Sequence, residues 1–196
     1  AYYQSRKVKT REVTMKLGLV AQSRSPLDIS RAWRLASGVL DKPDPRPLCL
    51  GDDTYVMAMA TGESPLEYSG YRGVAQVTFT CFDPFFYGPE RTVELSSGDN
   101  EFYVLGACST YPVVEITGVN GAFTLTDNRT GDKVRVLDLA TATVLRIDMA
   151  NYRCTVNGNY KKADMTVTDF WALEPGSACL RLSGGSGTLR YKERYL

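Results

Sequence analysis

The sequence predicts a mainly β protein made of two modules, and three observations point to this fold class. Short segments in which apolar and polar residues alternate run through most of the chain, as they do in half-buried strands. Turns rich in Gly, Pro and Asn separate these segments. Helical periodicity occurs in one segment, near residues 26–40. With 196 residues, the chain is long enough for two modules of about a hundred residues each.

The first predicted element is a long strand over residues 5–21. Val13, Met15, Leu17 and Leu19 alternate with polar or small residues, so they are expected to share one face of a sheet. The first half of this strand carries four basic residues, which we expect to face water or a partner: Arg6, Lys7, Lys9 and Arg11.

A helix is predicted to follow this strand. Ser25 and Pro26 supply an N-cap and a proline at the first helical position, and Asp28 lies in the first turn, where the helix dipole favours an acidic side chain. The sequence Asp41-Lys42-Pro43 ends the helix. Apolar residues at helical spacing predict one buried stripe: Ile29, Ala32, Trp33, Ala36, Val39 and Leu40.

Two further strands, near residues 53–60 and 73–82, complete the first module. The second strand runs into the stretch "TFTCFDPFFYG", Thr78 to Gly88, where Asp83-Pro84 stops it because proline has no N–H to donate and restricts its predecessor. Three aromatic residues and a glycine follow: Phe85, Phe86, Tyr87 and Gly88. We expect these aromatics to be packed at a domain edge; a platform on which a sugar ring stacks is the alternative interpretation.

The rest of the chain has no helical periodicity and predicts an antiparallel β-sandwich. Short strands recur at roughly ten-residue spacing, with turns such as Asn157-Gly158 between them. The predicted domains are residues 1–89 and 90–196. The predicted strands of the second domain are 111–118, 122–127, 133–139, 143–149, 153–160, 177–184 and 187–196.

The charges argue against tight binding of nucleic acid. The 23 basic and 22 acidic residues leave a net charge of +1 and form no long run of one sign, whereas duplex DNA is bound mainly through its phosphates. The sequence contains no run of about 18 apolar residues, so it predicts no transmembrane helix. The N-terminus is polar and basic, unlike a signal peptide, so we expect the chain to fold in the cytoplasm.

Residue types that catalysis needs are scarce. The chain has no histidine, which excludes Ser-His-Asp and Cys-His catalysis and most metal sites. The five cysteines are widely spaced and predict free thiols. The acidic pairs that a histidine-free hydrolase would need are explained by turns at Asp52-Asp53 and around Asp127 and Asp132. No carboxylate is expected in an apolar setting, so we assign no catalytic, metal-binding or cofactor-binding residue and expect no enzyme.

The stretch "TFTCFDPFFYG" resembles a signature of siphophage distal tail proteins, in which a strand ends in an aspartate-proline-aromatic-tyrosine-glycine turn that joins two domains. Downstream, "TLTDNRTGDKVRVLDL", "LRIDMANYRCTVNG" and "FWALEPGSACLRLSGGSGTLRYKERYL" follow the order of the family's C-terminal half. On this resemblance, the domain joint consists of Asp83, Pro84, Phe85, Phe86, Tyr87 and Gly88.

The resemblance implies a structural virion protein of a phage or prophage, located at the tail tip and assembled in the host bacterial cytoplasm. Residues 1–89 would have a tail-tube-like fold with one helix and form a hexameric ring. Residues 90–196 would form a galectin-like or carbohydrate-module-like sandwich. The ring would join the tail tube protein to tail-tip, tail-associated or receptor-binding proteins, let duplex DNA pass without specific binding, and contact no membrane.

Members of that family usually carry some tens of residues before the strand that begins here near Ser5. The resemblance therefore implies that the chain lacks the first strands of the ring-forming domain. We expect the strand Val13 to Val20 to have an open edge that a neighbouring subunit or a preceding segment covers. We also expect no continuous belt of Lys and Arg around the lumen, because such a belt would hold DNA.

Two other function classes stay open at this point. The sandwich pattern and 12 tyrosines suggest a carbohydrate-binding module. However, Trp33 lies on the predicted helix and Trp171 precedes a Pro-Gly turn, so the sequence shows no pair of exposed tryptophans at strand spacing. A hydrolase that uses paired carboxylates is the third alternative.

Overall fold

The computed structural model describes residues 9–20, 25–62, 65–69, 72–140, 144–164 and 168–196. The chain divides by its internal contacts into two compact units, Ala1–Phe86 (unit 1) and Tyr87–Leu196 (unit 2). Antiparallel strands are the main elements of both units, and the described residues contain one helix. The predicted mainly β fold class is therefore confirmed.

Unit 1 is an antiparallel sheet with one helix packed on it. Its elements are β1 (Arg11–Val20), α1 (Pro26–Leu40), β2 (Arg46–Cys49), β3 (Tyr55–Thr61), β4 (Leu66–Ser69) and β5 (Arg72–Cys81). The central strand is β5, since β1 pairs with its whole length and both β3 and β4 pair with its other side. β2 extends the sheet beside β3.

The helix α1 begins and ends where the sequence predicts. The Ser25 hydroxyl accepts a hydrogen bond from the Leu27 N–H at 3.3 Å, as an N-cap does. The predicted stripe is wrong at Ala32 and Val39, which are exposed. A single helix lying on a sheet buries only the row of residues that touches the sheet, and that row is narrower than the predicted apolar stripe. The residues of this row are Ile29, Trp33, Ala36 and Leu40.

The core of unit 1 is small. In β1, Val13, Met15, Leu17 and Leu19 are half-buried and alternate with exposed residues, as predicted. Among the described residues, the buried cluster on this side of the sheet has five members: Val56, Ala58, Val77, Phe79 and Cys81.

Unit 2 is a sandwich of two antiparallel sheets. Its strands are β6 (Phe86–Leu95), β7 (Gly98–Val104), β8 (Val113–Thr117), β9 (Gly121–Asp127), β10 (Lys133–Leu139), β11 (Leu145–Asp148), β12 (Arg153–Val156), β13 (Asn159–Lys161), β14 (Gly176–Leu182) and β15 (Ser186–Tyr195). One sheet has the order β6-β15-β8-β11-β12-β13, and the other has the order β10-β9-β14-β7.

The space between these two sheets holds a large apolar core. Among the described residues, its buried cluster has 22 members, contributed by both sheets. Phe123 and Leu180 from one sheet and Ile147 and Leu189 from the other are fully buried. Trp171 is also buried in this core, as the sequence predicts.

Four strands escape prediction, and each lacks a clear alternation. β2 contains Pro47, β6 contains Gly88 and Pro89, and β7 opens with residue types usual in turns. β4 is only four residues long. The predicted strand 153–160 is a hairpin, because Asn157 and Gly158 both have positive φ (49° and 82°), as a type I′ turn requires.

We expect Gly187 to be indispensable for the pairing of β15 with β8. Gly187 lies opposite Ile116, and a Cβ added to it would overlap the carbonyl oxygen of Glu115. Gly187→Ala should therefore lower the free energy of unfolding of unit 2 by about 3 kcal/mol or more. The measurement is urea denaturation followed by Trp171 fluorescence in a Trp33→Phe background.

Gly184→Ala is the matched control for this substitution. A Cβ at Gly184 would meet no atom within 4 Å, so its effect should stay within about 0.5 kcal/mol. Equal destabilisation by the two substitutions would show that the close approach of the two backbones is not the cause.

Candidate functional site

The aromatic signature spans the point at which the two units meet in the chain. β5 ends at Cys81, and the Asp83 carboxylate then accepts a hydrogen bond from the Phe85 N–H at 3.4 Å, which fixes the turn. Pro84 is buried, and Phe85, Phe86 and Tyr87 are half-buried. The aromatic rings are thus not a free platform for a sugar ring.

On the side of unit 1, Phe86 packs against the small core. It contacts the cluster that includes Val77 and Phe79. The Arg11 guanidinium lies 4.7 Å from the centre of its ring, within the range of a cation–π interaction. Arg11 is therefore half-buried, in contrast to the exposure predicted for the basic residues of this strand; Arg6 and Lys7 lie outside the described residues.

On the side of unit 2, Gly88 leaves room for the last strand. A Cβ at Gly88 would lie 3.1 Å from both Cβ and Oε2 of Glu193 and 3.3 Å from the Tyr195 ring. A side chain at this position would therefore push against β15. The Arg194 guanidinium lies 5.9 Å from the centre of the Tyr87 ring. The signature glycine is explained by this close approach.

Glu193 is a buried carboxylate held by two donors. The Arg91 Nε and the Tyr195 hydroxyl each donate to it at 2.6 Å. The Tyr195 hydrogen bond is the main reason why the pKa of Glu193 lies below its ordinary value; burial opposes this shift, and Arg91 adds to it. Glu193 is thus ionised and fully bonded, which suits a structural role.

The expectation that no carboxylate occupies an apolar setting is wrong at two positions. Glu193 is 5% exposed and continues the inward series of Leu189 and Tyr191 in β15, and Asp127 is 1% exposed at the inward end of β9. The sequence shows a charged residue at an inward position of the alternation in β15. It does not show which residue pairs with this carboxylate, because Arg91 is 102 residues away in the chain.

The acidic pairs that the sequence singled out lie in turns. The Asp52 carboxylate accepts from the Thr54 N–H at 2.9 Å and the Thr54 hydroxyl at 2.6 Å, and the hydroxyl contact is the main cause of its lowered pKa. Asp127 accepts from the Arg129 N–H at 2.9 Å, and Asp132 from the Thr130 hydroxyl at 2.7 Å. Each carboxylate therefore stabilises its own turn.

The thiols show no catalytic arrangement either. The five cysteines are free, and burial raises the pKa of Cys154 to about 11, so this thiol stays protonated at neutral pH. Among the described residues, no three Cys, Asp or Glu side chains gather as metal ligands do. None of the described helices is long and apolar enough to cross a membrane.

Unit 1 exposes an apolar helix face that the sequence analysis did not predict. Leu27, Leu35 and Val39 on α1 are 71%, 75% and 71% exposed. Leu35 and Val39 are one helical turn apart, so they lie next to each other. Apolar residues clustered on one exposed face typically mark an interaction surface.

The edge of the unit 1 sheet is a second feature of this kind. β1 pairs with β5 on one side, and no described strand of unit 1 pairs with its other side. A strand of ten residues leaves a row of backbone donors and acceptors along such an edge.

Comparisons with known proteins connect unit 2 with a family of phage tail proteins. Residues 105–195 match the model of a family described as siphovirus-type tail component, C-terminal domain. The predicted resemblance to siphophage distal tail proteins is therefore confirmed for this part of the chain.

A solved tail component has the same fold over nearly the whole chain. It is the SPP1 Dit (gp 19.1) protein, described as a paradigm of the hub adsorption apparatus in phages that infect Gram-positive bacteria. The TM-score is 0.82 at 16% sequence identity, and the match covers 96% of this chain and 80% of that chain. A search of curated protein sequences finds no match.

We expect Glu193 to make unit 2 sensitive to acid. Because the folded state lowers the pKa of Glu193, its contribution to stability is fully present above about pH 5 and is lost as the pH falls through the lowered pKa. Glu193→Gln should therefore lose less stability than the wild type between about pH 5 and pH 3. Urea denaturation at a series of pH values measures this difference.

Glu94→Gln is the control, since Glu94 is an exposed carboxylate on the same strand as Arg91. This variant should keep the pH dependence of the wild type. Parallel stability curves for Glu193→Gln and the wild type would contradict the assignment.

Proposed function

We propose that this chain is a distal tail protein that forms a hexameric ring at the end of the tail tube. The ring joins the tail tube protein to tail-tip, tail-associated or receptor-binding proteins and lets duplex DNA pass. Unit 1 is the ring-forming part, and the signature from Asp83 to Gly88 is the joint to the sandwich. Assembly takes place in the host bacterial cytoplasm, and the mature protein resides at the tail tip.

The observation that carries the ring proposal is the incomplete burial of unit 1. Among the described residues, its largest buried apolar cluster has five members, whereas that of unit 2 has 22. Unit 1 nevertheless carries three apolar residues on α1 that are more than 70% exposed. A unit that buries so little within itself gains stability when copies pack together, because association removes further apolar surface from water.

The open edge of β1 supports the same proposal. A neighbouring subunit that covers this edge would satisfy its backbone donors and acceptors and would prevent random pairing with other chains. Contacts made by a helix face on one copy and a strand edge on the next are heterologous, and such contacts close into rings when the rotation between copies allows it.

The exposed face of β1 and β5 suits a channel through which DNA slides. This face carries short neutral side chains and few charged ones. Thr14 and Thr78 share a hydrogen bond at 3.3 Å, and Thr61 and Thr80 share one at 2.8 Å. Lys16 lies opposite Gln76 on this face, and Glu12 lies opposite Thr80. With so few cations, this face would neutralise few phosphates, so DNA would not be held.

Size-exclusion chromatography with light scattering tests the ring. We expect the chain to form a hexamer at micromolar concentration. The double substitution Leu35→Glu, Val39→Glu should shift the protein to monomers, because it places carboxylates in the apolar contact. Arg34→Glu, at an exposed position of the same helix, should leave the hexamer in place.

A wild-type chain that stays monomeric at all concentrations would contradict the ring. If the double variant still forms a hexamer, the proposed ring stands, but this face of α1 is not its interface. Unchanged circular dichroism of the variant monomers is the control for folding.

Gel retardation of duplex DNA tests the passive channel. The assembled protein should not retard DNA at about 150 mM salt. The variant Thr14→Lys, Thr78→Lys should gain salt-dependent binding, because every subunit then adds two cations to the face that we assign to the channel. Sub-micromolar binding by the wild type that is lost on neutralising Arg6, Lys7, Lys9 and Arg11 would show that the channel grips DNA.

A further inference from the structure

The sequence Val-Asn-Gly occurs twice in unit 2, in two turns that the ring proposal does not involve. Residues 119–121 lead from β8 into β9, and residues 156–158 lead out of β12 towards β13. An asparagine that precedes glycine is prone to react with its own main chain, because glycine places no side chain beside the attacking backbone nitrogen. Since the two asparagines have identical neighbours in these tripeptides, a difference in their reactivity would come from the fold.

The fold holds the side chain of Asn157 in place. Its Oδ1 accepts a hydrogen bond from the Val144 N–H at 2.9 Å, and the Asn157 N–H donates to the Val144 carbonyl oxygen at 2.9 Å. The backbone is fixed as well, with the positive φ values of a type I′ turn at Asn157 and Gly158. To react with the Gly158 nitrogen, the side chain of Asn157 would first have to leave the Val144 N–H. The hydrogen bond therefore opposes the reaction.

The side chain of Asn120 is not held in this way. Asn120 is exposed, and within the described ranges its side chain makes no hydrogen bond. Gly121 is the first residue of β9 and lies opposite Leu139, next to an irregularity in the pairing between Val136 and Leu139. Pairing at the end of a strand and beside a bulge opens more readily than pairing inside a sheet, so the Gly121 nitrogen is accessible to the side chain of Asn120.

We propose that Asn120 is a site of spontaneous deamidation and that the fold protects Asn157 from the same reaction. The Gly121 nitrogen attacks Cγ of Asn120, and its proton passes through water to the side-chain nitrogen. The new bond between this backbone nitrogen and Cγ replaces the bond between Cγ and Nδ2, and ammonia leaves. Water then opens the cyclic imide at either of its carbonyl groups, which gives aspartate or isoaspartate. The net reaction consumes water and releases ammonia.

The modification would alter the link between the two sheets of unit 2. β8 belongs to one sheet and β9 to the other. Val119 is buried in the core between them, and so is Phe123 at the start of β9. Isoaspartate at position 120 adds a methylene group to the main chain between these two buried residues, and both products add a negative charge. Because a close-packed core does not accommodate a longer link without rearrangement, the modified chain should be less stable.

Peptide mapping by mass spectrometry tests the assignment on the whole chain, incubated at mildly alkaline pH. In the folded protein we expect Asn120 to convert several-fold faster than Asn157, with aspartyl and isoaspartyl peptides as products. In concentrated urea the two should convert at similar rates, because the tripeptides are identical and the hydrogen bonds to Val144 are lost. Equal rates in the folded protein, faster conversion of Asn157, or the same difference in urea would each overturn the proposal.

Asn120→Gln and Asn157→Gln are matched variants, since a glutamine side chain would have to close a larger and less favourable ring. Each variant is compared with its own sample before incubation. Incubation should lower the urea midpoint of unit 2 in the wild type and in Asn157→Gln, and should leave it unchanged in Asn120→Gln. An equal decrease in all three would show that another change causes the loss, and no decrease in any of them would contradict the effect on the link between the sheets. The outcomes do not depend on whether the chain forms a ring.

Discussion

A sheet has two faces and two edges, and the described part of unit 1 has one helix to cover them. α1 buries the row that includes Ile29 and Trp33 on one face of the sheet, whereas no described element of unit 1 covers the opposite face or the edge at β1. The helix itself turns Leu35 and Val39 to water. Soluble domains normally bury such surfaces against a second layer. The assembly surfaces, the channel face and the need for neighbouring copies in our proposal all derive from this shortage of cover.

Unit 2 buries the apolar faces of its sheets within itself. Its two sheets cover each other, and their side chains form one continuous core that includes Phe123 and Ile147. The outer faces of both sheets are then free to carry polar groups and single aromatic residues such as Tyr103. A self-sufficient sandwich can vary its outer surface without loss of fold, whereas in our proposal changes on unit 1 would affect assembly.

The sequence predicted those elements whose physics is local. The cap at Ser25-Pro26 and the alternation in β1 depend on neighbours in the chain, and both were found where predicted. The predicted burial of Val39 on α1 was wrong, because burial depends on how much of the sheet lies under the helix. Gly88 could be recognised in the signature, but its reason could not, because Glu193 approaches it only in the folded chain.

The contact of Gly88 and Arg91 with Glu193 also sets an order of events during synthesis. It joins the start of unit 2 to the strand at its end, and β6 lies beside β15 in the sheet. Contacts so distant in sequence form late and require closure of a long loop. While the ribosome is still adding β15, β6 has no partner strand from its own unit on that side, and unit 2 cannot close. The sandwich can therefore be completed only after β15 has been synthesised and has paired with β6.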